Sequence, residues 1–125
     1  MTDLDIDYSS ITELDLSCKG LTELPDLSIY PNLNQLDCSD NYISNLDNLP
    51  PNLLELYCNS NEIRQLYNLP PNLEILSCGV NKILQLDNLP LNLKELICNN
   101  NPLQYDFKPT LKNIRNYNAK GTKVP

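Results

Sequence analysis

Residues 49–68, LPPNLLELYCNSNEIRQLYN, return as LPPNLEILSCGVNKILQLDN at 69–88 and as LPLNLKELICNNNPLQYDF from Leu89 onward. The preceding stretch, Tyr30–Leu49, already reads YPNLNQLDCSDNYISNLDNL. A fixed period of about 20 to 30 residues is the mark of a solenoid, in which each unit buries its apolar side only by stacking on the next. No other feature of the chain restricts its fold as much.

Each copy carries the pattern LxxLxCxxNxI. The full copies place Leu33, Leu36, Cys38, Asn41 and Ile43, then Leu53, Leu56, Cys58, Asn61 and Ile63. Two more give Leu73, Leu76, Cys78, Asn81 and Ile83, and Leu93, Leu96, Cys98, Asn101 and Leu103. A degenerate leading copy runs Ile11, Leu14, Leu16 and Leu21, with Lys19 at the asparagine position. Copies therefore start at 11, 33, 53, 73 and 93. The pattern resembles the leucine-rich repeat family over Ile11–Phe107. Its 20-residue length and its LP-P-N-L junction are similar to the shortest class, that of secreted bacterial effectors of the YopM and IpaH type. Similar short repeats occur in proteins of giant DNA viruses and their amoebal hosts. The resemblance implies a right-handed solenoid and a host-directed, effector-like or viral role.

The expected organisation has three parts: a cap segment over 1–10, a five-coil solenoid over 11–107, and a short capping helix with a basic tail over 108–125. In each coil a short strand, around Glu55–Tyr57 in one copy, turns Leu56 and Cys58 inward and Glu55, Tyr57 and Asn59 outward. The predicted core is Leu36, Cys38 and Asn41, and their counterparts Leu56, Cys58, Asn61, Leu76, Cys78, Asn81, Leu96, Cys98 and Asn101. A buried amide needs partners, so a column of asparagines implies a column of backbone groups bonded to them. The paired prolines of the junctions favour an extended outer side without helices. Leu4, Ile6 and Tyr8 alternate between acids and read as a short extended piece over the first coil. A helical cap of the kind common in the effectors is not expected here. Phe107, Leu111, Ile114 and Tyr117 form one helical face with Pro109 near its start, which predicts a helix over Lys108–Asn116 and a frayed end from Ala119.

Charge is unevenly placed. All sixteen acids lie at or before Asp106 with four bases, whereas the tail from Lys108 holds five bases and no acid. An acidic body argues against sequence-independent nucleic-acid binding, which needs cations against phosphates. No apolar run approaches the roughly 18 residues of a membrane span, and the acidic start lacks the features of a secretory signal. Five cysteines cannot all pair. Cys38, Cys58, Cys78 and Cys98 occupy one inward column whose parallel side chains suit neither a disulfide nor a tetrahedral zinc. They read as reduced thiols packed as small hydrophobes, which suits a cytoplasmic setting. Cys18 falls two places past the inward Leu16 and outside that column.

Catalysis is not expected, nor any cofactor or metal. The chain has no histidine and only three glycines, and no phosphate-binding glycine motif. Effectors of the IpaH type are ubiquitin ligases through a separate large domain with a Cys-x-Asp nucleophile. Cys38-Ser39-Asp40 matches that triplet but sits inside a repeat, with Cys38 directed at the core. No such domain is expected within these 125 residues.

The outward strand positions remain, and they form three columns: Glu13, Gln35, Glu55, Ile75, Glu95; Asp15, Asp37, Tyr57, Ser77, Ile97; and Ser17, Ser39, Asn59, Gly79, Asn99. Acid gathers over the first coils, and Tyr57, Ile75 and Ile97 stand out as apolar. Apolar groups exposed together suggest a partner, and tyrosine is a frequent anchor. The predicted binding residues are Asp15, Gln35, Asp37, Glu55, Tyr57, Ile75, Ser77, Glu95 and Ile97, with Gly79 as a notch open to a partner's side chain. The expected function is protein–protein interaction with a partner carrying a basic region, by a monomer or weak homo-oligomer. The alternative is a structural repeat protein without a fixed partner, or a self-associating one.

Overall fold

The computed structural model describes residues 7–120. Five three-residue strands lie parallel and in chain order: β1 Glu13–Asp15, β2 Gln35–Asp37, β3 Glu55–Tyr57, β4 Ile75–Ser77 and β5 Glu95–Ile97. They pair rung on rung, so that Leu14, Leu36, Leu56, Leu76 and Leu96 form one row. A helix, α1, follows at Leu111–Lys120.

The coil repeats because its turns repeat. Two residues past each column cysteine the backbone swings to the left-handed region, at Asp40 (φ 57°), Ser60 (55°), Val80 (55°) and Asn100 (57°). It does so again at Asn48 (60°), Asn68 (53°) and Asn88 (54°), just before each LP junction. Asn and Asp tolerate this conformation; a β-branched residue does not, so Val80 is strained. Each junction then closes a turn, with Leu33 N–H donating to Tyr30 O, Leu53 to Pro50 O, Leu73 to Pro70 O and Leu93 to Pro90 O at 3.1–3.3 Å. Pro31, Pro51 and Pro71 hold the second position of these turns, where a fixed φ suits them.

Stacking buries Leu33, Leu36, Leu53, Leu56, Leu73, Leu76, Ile43, Ile63 and Ile83 completely, each contributing roughly 1.5–3 kcal/mol relative to exposure. Cys38, Cys58 and Cys78 are equally inaccessible, and all five cysteines are free, with Cys18 exposed as its register requires. Leu96 and Asn101, both expected in the core, are only half-covered because α1, rather than another coil, follows β5 among the described residues.

The asparagine column stitches coil to coil. Asn61 Nδ2 donates to Cys38 O of the coil before it and to Cys58 O and Asn59 O of its own, while its Oδ1 accepts Ile43 N–H at 2.9 Å. Asn81 and Asn101 repeat the arrangement, and Asn41 Oδ1 takes both Lys19 and Leu21 N–H where the first coil lacks an asparagine.

Both ends depart from expectation in detail. Asp7 Oδ1 accepts Ser9 N–H and turns Tyr8–Ser10 into a single 3-10 turn, so Tyr8 is not extended; its ring meets Tyr30 edge-on at 5.5 Å. Leu4 and Ile6 of the expected cap lie outside the described residues. At the other end the helix spans Leu111–Lys120, not Lys108–Asn116, because Thr110 caps it by accepting Asn113 N–H at 3.1 Å and Pro109 stays ahead of the cap. Ala119 and Lys120 are therefore helical, and the rest of the expected frayed end lies outside the described residues. Ile114 is fully buried, and Tyr105, Phe107 and Tyr117 form an aromatic group with centroids 4.8–5.6 Å apart. Arg115 donates to Pro90 O (2.8 Å) and Leu91 O (3.1 Å), so that part of the basic tail clamps the last junction.

Candidate functional site

The strand register assembles the predicted face. Asp15, Asp37, Tyr57, Ser77 and Ile97 lie in one row, and Glu13, Gln35, Glu55, Ile75 and Glu95 in the next. Two of the acids are fixed by their own turns. Asp15 Oδ1 accepts the hydroxyl and the N–H of Ser17, which hold its carboxyl below the usual range, and Asp37 Oδ1 accepts Ser39 N–H at 2.9 Å. Asp15 and Asp37 are register partners, so their carboxylates crowd the same part of the sheet.

Tyr57 is held along its strand. Its hydroxyl donates to Glu55 Oε1 at 2.7 Å, and that bond, aided by desolvation and the charges of Glu55, Glu95 and Asp37, pushes its ionisation up to about 12. The hydrogen bond restrains the ring before any partner arrives, which lowers the entropy cost of using it as an anchor. Ile97 is 44% exposed in the same row. Ile75, beside Glu55 and Glu95, is half-buried.

Two sequence expectations fail here. Ser77 is not presented: it is only 4% exposed and its hydroxyl donates to Asn59 Oδ1 at 2.9 Å. Nor is Gly79 a notch. Asn59 Oδ1 accepts Gly79 N–H at 2.8 Å, and a Cβ at Gly79 would lie 2.5 Å from Asn99 Oδ1 and 3.3 Å from Asn59 Oδ1. The amides on either side have filled the space that the missing side chain leaves.

Burial decides the chemistry of the thiols. Desolvation pushes Cys38 and Cys78 up to about 12 and Cys58 well above its ordinary value, so none of them is a nucleophile near neutral pH. Cys38 in the Cys-Ser-Asp triplet therefore faces the core as a neutral thiol. Among the described residues no group of three or more His, Cys, Asp or Glu is placed to hold a metal ion, and no helix is long and apolar enough to cross a membrane.

One surface escaped the sequence reading. Past the asparagine turns, the return limbs of the later coils form a groove of about 880 Å³ lined by residues including Arg64, Tyr67, Lys82, Leu84 and Gln104. No strand residue lines it. Its signal in the sequence is the column Ser44, Arg64, Leu84, Gln104, which lies outside the strands.

No protein-family model matches the chain, and no curated protein matches it. Solved structures do. YopM from Yersinia enterocolitica WA-314 superposes with a TM-score of 0.71 and 40% identity over 78% of this chain, which spans 21% of that one. A Shigella effector leucine-rich repeat domain gives a TM-score of 0.57 and 29% identity over 77% of this chain and 52% of its own. The chain thus spans about a fifth and about half of these two neighbours.

Proposed function

Starting from a chain that is a leucine-rich repeat solenoid of the short, YopM/IpaH type, we propose that it is a non-enzymatic protein-interaction module working through the concave strand face. The carrying observation is the row Asp15, Asp37, Tyr57, Ser77, Ile97. It sets ordered acids at one end, a restrained tyrosine in the middle and a 44% exposed isoleucine at the other end. A partner suited to it brings a basic region against Asp15 and Asp37 and an apolar side chain to the Tyr57–Ile97 end. Asp15, Gln35, Asp37, Glu55, Tyr57, Ile75, Glu95 and Ile97 are the contact residues of this reading, and Ser77 acts beneath them. Neutral buried thiols fit a reducing, cytoplasmic setting, in the producing cell or in a host. Effector neighbours support a host-directed role.

A pull-down from host-type cytosol, comparing the wild type with a Tyr57→Arg, Ile97→Arg double variant of unchanged circular dichroism, tests the reading. A protein retained by the wild type and lost by the variant supports it. Equal retention by both removes the concave face from the account. Self-association is the second reading, because among the described residues β1 pairs on one side only and an open strand edge can pair with another chain. Sedimentation across concentration tests that.

A further inference from the structure

The return limbs carry a second exposed face, and the repeats supply its internal control. At equivalent positions of successive coils the limb presents Ser44, Arg64, Leu84 and Gln104 in one row, and Asp47, Tyr67 and Asp87 in another. The coil at 41–48 is polar in both rows, whereas Tyr67 is 62% and Leu84 44% exposed. The frame beneath is unchanged: Ile43, Ile63 and Ile83 are all fully buried, and each N–H is taken by the next coil's asparagine. Folding therefore does not require these side chains, since the same fold accepts Asp and Ser in their places. Apolar groups that the core does not need, placed together on a surface, point to a partner.

Tyr67 and Leu84 line the same groove of about 880 Å³, within the size range of ligand sites. We propose that this groove binds an extended peptide segment carrying one apolar side chain and one carboxylate. The apolar side chain packs on Tyr67 and Leu84, and the Tyr67 hydroxyl is already held by Gln65. The carboxylate pairs with Arg64, which makes no ion pair among the described residues, whereas Lys82 is tied to Glu62 at 2.8 Å. Gln65, Gln85 and Gln104 line the groove and offer amides to the peptide backbone. With Lys82 engaged by Glu62, Arg64 is the base of the lining without an ion pair among the described residues, and Asp87 lines the groove as an acid. One available guanidinium suits a single carboxylate, and Asp87 disfavours a polyacid.

An array of synthetic octapeptides tests this by fluorescence anisotropy with the full chain. Each places Leu or Phe beside Glu, or beside Gln or Lys as controls, in a Gly/Ser background. The key variant is Tyr67→Asp, Leu84→Ser, which installs residues that the fold already uses in those rows; circular dichroism and a thermal melt confirm its folding. Saturable binding of Glu peptides, weakened at least tenfold by that variant, supports the proposal. So does an Arg64→Gln variant that no longer distinguishes Glu from Gln peptides. The Tyr57→Arg, Ile97→Arg chain keeps this binding, which separates it from the concave face. Absence of saturable binding, indifference to Glu against Gln in the wild type, or undiminished binding by the key variant overturns it. So does sedimentation showing that the wild type self-associates and the key variant does not, because the groove then joins two copies of the chain.

Discussion

Truncating Asn61 to Ala puts the stitching between coils to a quantitative test. The side chain is 6% exposed, donates to three carbonyls and accepts Ile43 N–H at 2.9 Å. Removing it orphans that N–H on a fully buried residue, at about 1–3 kcal/mol. The carbonyls suffer less, because Cys38 O keeps Asn41 and Cys58 O keeps Asn81. Their lost bonds add about 1 kcal/mol, so the total comes to roughly 2–4 kcal/mol. That is a large share of a stability on the order of 5–15 kcal/mol. Asn101→Ala also orphans an N–H on a fully buried residue, Ile83, but the asparagine itself is half-exposed, so water can enter the vacated site, and the cost is about 1–2 kcal/mol. Urea unfolding of both variants, followed by far-UV circular dichroism, gives the comparison, with an unchanged m-value certifying that the unfolded state is not the source. Equal costs at the two positions, or a loss below about 1 kcal/mol at Asn61, refute the claim that the column carries inter-coil stability.

Val80→Asn relieves a β-branched residue at φ 55° and is expected to stabilise the chain by about 1–2 kcal/mol, read as a higher thermal midpoint. Gly79→Ala forces a Cβ against Asn99 Oδ1 and costs roughly 1 kcal/mol; because the nearest obstacle is the end of an exposed side chain, the cost falls in an Asn99→Ala background, as a double-mutant cycle would show, with the remainder set by Asn59 Oδ1 at 3.3 Å. The thiols make stability fall in alkali. Cys38 and Cys78 hold their protons to about pH 12 when folded and ionise earlier when unfolded, so their contribution is full below about pH 9 and is lost as pH rises through 12. The urea midpoint should drop between pH 8 and 10.5, and should drop less in Cys38→Val, Cys78→Val.

The fold was legible because one period governed everything that stacking depends on. Period-two alternation marks a strand around Glu55–Tyr57, where β3 lies, and the register of all five strands follows from the spacing of the copies. The inward cysteines and the partners of the asparagines were legible for the same reason. What failed depended on reach, which a repeat pattern does not encode. Gly79 reads as empty until the neighbouring amides are seen to lean into it. Ser77 reads as outward until Asn59 bends over it. The helix start moved because Thr110 competes with Pro109 for the cap, and the capping hydroxyl wins by taking a backbone N–H. The left-handed positions were available from the sequence, since Asn48, Asn68 and Asn88 recur where only a residue tolerant of positive φ fits. The groove on the return limbs is set by Arg64, Tyr67 and Leu84, which vary between copies and so carry no repeat signal.

Between coils, the column's amides all reach back: from Asn61 to Cys38, from Asn81 to Cys58, from Asn101 to Cys78. Such a molecule is a ruler with a direction, ruled off in whole coils. Duplicating Leu69–Asn88 in tandem inserts one complete division, leaving every local bond intact while moving Ile97 about 4.8 Å farther from Tyr57. Reach along the face can thus be lengthened in fixed steps without redesigning either end, and any partner that spans Asp15 to Ile97 must match that count of coils.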